Sequence, residues 1–139
     1  FYKGFKIMKV FYNWEDIDGR VNDLCQRLKH ESFEAVYGIP RGGLIVAVLV
    51  SHKLGIPLIT SLRDMYGKKF LVVDDIADTG LTLEKMKRLE VCSGATFATL
   101  DYHKQSSVVP DYWISEKGDN WIVYPWERED SKEVQDYLV

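Results

Sequence analysis

The residues best equipped for chemistry lie in one stretch, Phe70-Leu-Val-Val-Asp-Asp-Ile-Ala-Asp-Thr-Gly-Leu-Thr82. Phe70 to Val73 is a short apolar run bounded by charge, which predicts a strand buried on both faces. It delivers Asp74 and Asp75 at its carboxyl end, the edge of an open α/β sheet where ligands bind. A loop is expected over 74–80 and a helix over 81–91. Asp78-Thr79-Gly80-Leu81-Thr82 would then offer successive backbone N–H groups, two hydroxyls and a helix start, a cradle for a phosphate dianion. Two adjacent carboxylates would repel that phosphate. They suit a neighbouring diol, each accepting a hydroxyl proton, or a metal ion shared with the ligand. The combination describes a sugar phosphate. The same residue types also make a plain strand–turn–helix whose acids cap the helix and face water. Other motifs fail. An EF-hand loop starting at Asp74 would place Ile76 third and Thr79 sixth, where an acid and a glycine are required. Neither G-x-x-x-x-G-K-[ST] nor G-x-G-x-x-G occurs.

A second candidate is Gly38-Ile-Pro-Arg-Gly-Gly43, at the end of an expected strand over 33–39. Its glycines permit close backbone approach to a ligand and Arg41 adds charge. It reads equally well as an ordinary βα turn. Around these loops the chain alternates. Ile17, Val21, Leu24, Cys25 and Leu28 share one face of a helix over 16–30, with Asp16 or Asp18 as its cap. A mostly apolar helix over 44–54 stops at Gly55. Strands are expected over 57–62 and 95–100. Strands alternating with helices of about ten residues predict an α/β fold, a parallel sheet flanked by helices. Beyond Tyr102 the chain becomes aromatic, with Tyr112, Trp113, Trp121, Tyr124 and Trp126 and short strand-like pieces.

Composition narrows the class. The chain has 139 residues, enough for one domain, and can bury about 68% of its unfolded surface without a disulfide or metal staple. Hydrophobic residues make up 46% and charged residues 28%, a globular profile. A net charge of −3 without long runs of one sign argues against a nucleic-acid-coating surface or a polybasic membrane anchor. No apolar stretch is long enough to span a bilayer. Cys25 and Cys92 are far apart and the three histidines are scattered, which argues against a structural zinc site and fits core thiols in a reducing cytoplasm. Phe1 to Ile7 lack the layout of a secretion signal.

The 70–82 segment resembles the phosphoribosyl-pyrophosphate (PRPP) signature of the type I phosphoribosyltransferases: four apolar residues, two acids, two more residues, then Asp-Thr-Gly-x-Thr. The resemblance implies that Asp74 and Asp75 hold the ribose diol, and that Asp78, Thr79, Gly80, Leu81 and Thr82 hold the 5-phosphate. It implies further that Asp78 lies near N7 of a purine and handles its proton. On the same ground, Arg41 and Gly42 belong to a pyrophosphate loop that can carry a strained or cis peptide. Lys104 and Asn120-Trp-Ile-Val-Tyr-Pro-Trp-Glu127 resemble the purine-binding hood of the small xanthine-guanine and hypoxanthine-guanine enzymes. Trp121 would stack on the base, a contact contributing ~1–3 kcal/mol whichever purine is bound. Lys104 would donate to the exocyclic oxygen at C6, and the backbone around Ile122 would meet the other edge. Trp126 is expected to be structural packing.

The resemblance covers roughly residues 14–127 and implies one domain over 1–139: a core over 14–101, a small C-terminal hood over 102–127 and a tail over 128–139. Val134, Tyr137 and Leu138 give the tail one apolar edge. The implied reaction moves the phosphoribosyl group of PRPP to a 6-oxopurine (guanine, xanthine or hypoxanthine) in purine salvage. Mg2+ would be held by PRPP oxygens and by Asp75, directly or through water. Relatives imply a cytoplasmic homodimer or homotetramer with no nucleic-acid partner. Two features depart from the pattern. Gln105 stands where many relatives have proline, and only Ser61 to Lys69 connects the second strand to the signature strand, where a long flexible loop is usual. A short connection also fits a slow enzyme or a non-catalytic PRPP-binding regulator. A transferase acting on adenine or a pyrimidine is the remaining rival.

Overall fold

The computed structural model describes residues 8–130. Its strands are β1 (Lys9–Phe11), β2 (Ala35–Gly38), β3 (Leu58–Ile59), β4 (Phe70–Ala77), β5 (Thr96–Tyr102), β6 (Tyr112–Glu116) and β7 (Trp121–Val123). The helices are α1 (Trp14–Leu28), α2 (Gly42–Leu54) and α3 (Leu81–Lys87), and a 3-10 turn follows at Glu90–Cys92. Five strands form one parallel sheet in the order β3-β2-β4-β5-β6, while β1 pairs in parallel with β7 as a separate two-stranded sheet.

Helices cover both faces of the main sheet. Leu71 and Val73 of β4 point into a cluster with Val21 and Leu24 of α1 and Val46 and Val50 of α2. Phe70 and Val72 point the other way, into a cluster with Leu83 of α3, Phe97 and Cys92. A strand buried on both sides must be apolar at every position, which accounts for the unbroken Phe70–Val73 run. α1 buries the five residues expected of it, but it starts earlier than the apolar spacing implies. Asn13 is its cap: the Asn13 side chain accepts from Asp16 N–H at 2.8 Å, and Asp16 returns the bond to Asn13 N–H at 2.9 Å. Asp16 therefore sits inside the first turn. α2 ends at Gly55, whose φ of +67° supplies the left-handed stop.

Several expectations change: the helix expected over 81–91 ends at Lys87, and the strand expected over 57–62 is only Leu58–Ile59. The strand expected to end at Val73 runs on to Ala77, because the ladder with β5 continues through Asp74–Thr99, Ile76–Asp101 and Ala77–Tyr102. Asp74 and Asp75 are strand residues, not loop residues. Residues 112–116, within the stretch expected to form the hood, join the main sheet beside β5 as its edge strand. The tail's apolar edge at Val134, Tyr137 and Leu138 lies outside the described residues. Among those described, no helix is long and apolar enough to cross a membrane.

The strand order creates the site. From β2 the chain crosses through α2 to β3 on one side, and from β4 it crosses through α3 to β5 on the other. Neighbouring strands β2 and β4 thus send their connections to opposite faces of the sheet. The crevice opened at their carboxyl ends is the topological switch point, the preferred ligand position in such folds.

Candidate active site

The cavity at this switch point is lined by Asp74, Asp75, Ile76, Asp78 and Thr82 from the β4–α3 segment, and by Lys117, Trp121, Ile122, Tyr124 and Glu127 from the hood. The three aspartates are only 4%, 8% and 6% exposed. Local bonds orient two of them. Asp74 Oδ1 accepts from Asp75 N–H at 2.9 Å, and Asp75 Oδ1 accepts from Ile76 N–H at 2.8 Å. Each carboxylate is pinned at one oxygen by the chain's own backbone, which presents the adjacent pair as a preset acceptor array.

The β2–α2 loop closes one side. Its Pro40–Arg41 peptide is cis, as the resemblance implies. Arg41 is exposed at the N-cap of α2. A Cβ placed on Gly42 would collide with the Asp75 carboxylate, so only glycine lets this loop lie against the acid. On the other side, Gly80 takes φ +89°, and a Cβ there would come within 2.6 Å of Ser106 Oγ and Ser107 N. The turn 78–82 is fixed by Thr79 Oγ1 accepting from Leu81 N–H at 3.3 Å, and by Ser107 N–H donating to Thr79 O at 2.9 Å. A smaller hollow lined by Ala77, Thr79, Gly80 and Thr82 lies beneath it.

The hood supplies an aromatic wall and one cation. Trp121 opens β7 half-buried, and Ile122 behind it is buried. Lys117 Nζ donates to Asp78 Oδ2 at 3.0 Å, with both side chains about as buried as the core, and lies over the Trp121 ring at 5.0 Å from its centroid. The second Asp78 oxygen accepts from Gln105 Nε2 at 3.4 Å. Lys104 is exposed on the 103–107 turn, next to the buried His103, and is not among the residues that line the cavity. The His103 Nδ1 accepts from Gln105 N–H at 3.0 Å, which holds that turn. Lys117 and Gln105 have no signal in the sequence. Ser-Glu-Lys-Gly-Asp-Asn has the composition of a solvated turn, and only the fold brings its lysine to Asp78.

Behind the wall is a polar cluster the sequence does not reveal. Asp101, fully buried on β5, accepts from Tyr12 O–H at 3.0 Å and from Tyr124 O–H at 2.8 Å. Burial raises the Asp101 carboxyl above its usual range, and the two phenols oppose that by hydrogen bonding. Burial, and then the Asp101 charge, push Tyr12 up to about 12 and Tyr124 well above the usual phenol. Tyr124 stacks on Trp126 at 4.9 Å and meets the edge of Tyr12 at 5.6 Å. Trp126 thereby serves packing.

At the switch point of this parallel α/β sheet, paired buried acids, a glycine-tight turn and an indole border one cavity. No family model matches the chain. It is 31% identical to the xanthine-guanine phosphoribosyltransferase of Idiomarina loihiensis, over 86% of this chain and 87% of that protein. It is 32% identical to a purine phosphoribosyltransferase from Pyrococcus horikoshii, whose structure superposes with a TM-score of 0.82 over 93% of this chain and all of that one. The xanthine-guanine-hypoxanthine phosphoribosyltransferase of Helicobacter pylori shares the fold, with a TM-score of 0.74 at 19% identity over 86% of this chain and 93% of that one. The chain belongs to the type I phosphoribosyltransferases, of the xanthine-guanine kind.

Proposed function

We infer that the protein transfers the phosphoribosyl group of PRPP to N9 of a 6-oxopurine and releases pyrophosphate. The observation that supports this best is the cavity itself, where Asp74 and Asp75, the 78–82 turn and the Trp121 ring meet at one switch point. In this reading Asp74 and Asp75 accept the ribose hydroxyls and the 78–82 turn takes the 5-phosphate. Arg41 and Gly42 border the pyrophosphate. The base stacks on Trp121 with its edge toward Asp78, and the Ile122 backbone meets the opposite edge. As the N9–C1′ bond forms and the bond from C1′ to pyrophosphate breaks, Asp78 takes the proton from N7 as general base. Positive charge developing at the sugar is stabilised by the neighbouring carboxylates.

The donor set fits Mg2+. No group of three or more His, Cys, Asp or Glu among the described residues could hold a metal alone. A buried carboxylate beside a diphosphate-bearing ligand is what Mg2+ uses, since it binds through one or two carboxylates, substrate oxygens and water. Asp75 would hold it, and the ion would neutralise the leaving pyrophosphate. The buried free thiols Cys25 and Cys92 fit a cytoplasmic setting. A homodimer or homotetramer is the expected assembly, checked by light scattering.

The short 61–69 connection supports a second reading, a regulator that binds PRPP without turning it over. The deciding experiment measures pyrophosphate release with PRPP, Mg2+ and guanine, xanthine, hypoxanthine, adenine or uracil in turn. Release with 6-oxopurines is expected. Silence with every base alongside measurable PRPP binding establishes the regulator, and release with adenine or uracil alone moves the substrate to another base.

A further inference from the structure

The walls of the site belong to two different sheets. Asp74 and Asp75 lie on β4 of the main sheet, while Trp121 and Ile122 lie on β7, which pairs with β1 in the separate two-stranded sheet. Among the described residues no backbone ladder joins the two sheets. Side chains must therefore set how the aromatic wall stands relative to the paired acids.

One carboxylate of the main sheet holds both strands of the small one. Tyr12 and Tyr124 are the residues that follow β1 and β7, and both phenols donate to Asp101, at 3.0 Å and 2.8 Å, one to each oxygen. Asp101 lies on β5, opposite Ile76 in the ladder with β4, and is 0% exposed. The Tyr124 hydroxyl also comes within 3.5 Å of the Asp75 carbonyl oxygen, and Tyr124 lines the cavity, which neither Tyr12 nor Asp101 does. A carboxylate shut off from water costs stability against an apolar residue of similar volume. What it supplies here is direction, through two charge-assisted bonds that aim each phenol at a fixed point.

We propose that Asp101 is a positioning residue for the transfer: by holding Tyr124 it sets the spacing of Trp121 and Ile122 from Asp74 and Asp75, and so the base from the sugar carbon it attacks. This rests on the phosphoribosyl-transfer reading above. Asp101 touches neither substrate and acts on their alignment, where a displacement of about 1 Å can lower the rate ~10²-fold. Tyr124 carries the effect, because it alone of the two phenols also reaches β4 and the cavity.

The test measures kcat on the wild type's best base, PRPP affinity by calorimetry and the urea midpoint in the wild type, Tyr124→Phe, Tyr12→Phe and Asp101→Asn. Each phenol variant removes one hydroxyl from Asp101, so both should lower the midpoint. Of the two, only Tyr124→Phe should lower kcat, by ~10–10²-fold, with PRPP affinity unchanged. Asp101→Asn should match it, and the double variant should lose little more, because both changes release the same restraint. If Asp101→Asn fails to fold, the phenol pair still decides. Wild-type kcat in Tyr124→Phe or in a folded Asp101→Asn overturns the proposal. So do equal kcat losses in the two phenol variants, which would make the cluster structural only. A wild type that releases no pyrophosphate with any base overturns the transfer reading as well, an outcome distinct from the others.

Discussion

Asp78 carries three demands at once. It lines the cavity, anchors Lys117 and receives Gln105, so each of its oxygens already has one partner before a base arrives. Replacing it with asparagine keeps the size and leaves an acceptor oxygen but removes the proton acceptor. Asp78→Asn should cut turnover by ~10²–10⁴-fold while PRPP affinity survives. Unchanged turnover would remove Asp78 from the reaction. Trp121 acts by area and planarity, so Trp121→Ala should weaken purine binding by ~1–3 kcal/mol and PRPP binding far less. Equal losses for both ligands, read by calorimetry, would mark the indole as structural.

Among the elements, the glycines at loop ends decide how closely the site packs. Gly42 begins α2 directly against the Asp75 carboxylate. Gly42→Ala should displace that acid, cost about 1–3 kcal/mol by overpacking and raise the KM for PRPP. Gly19, within α1, has open space around it, so Gly19→Ala should instead stabilise by about 0.5–1 kcal/mol. Urea denaturation of both variants, with pyrophosphate assays on the first, checks the contrast. Much of this layer is legible in the sequence. The apolar spacing marks α1, and the run of four hydrophobics before two acids marks β4 and its site. The acids themselves hide the end of β4, since a polar residue in a strand reads as its stop and only the β5 ladder shows otherwise. The pairing of β1 with β7 and the approach of Lys117 to Asp78 join distant segments through tertiary contact, and local pattern carries no trace of either.

At the scale of the whole molecule, Asp101 ties three parts of the chain together. It sits on β5, while its phenol partners come from the segment before α1 and from the hood. Tyr12 keeps its proton to about pH 12 in the fold, against an ordinary value of 10.0. A raised folded value means the stabilisation is fully present below pH 10 and is lost as pH rises toward 12. Urea midpoints should therefore fall across that window, and Tyr12→Phe should flatten the fall; an equally steep fall in the variant would remove Tyr12 from the linkage. The pairing of β1 with β7 also sets an order of events in time. Met8 N–H donates to Asn120 across 112 positions, and Lys9 aligns with Trp121. Contacts so distant in sequence close late, because the intervening chain must first be ordered. As the protein emerges from the ribosome, β2, β4 and the 78–82 turn are complete before Trp121 exists. The paired acids and the 78–82 turn can take shape first, and the aromatic wall is assembled last, when residues 121–123 pair with residues 9–11.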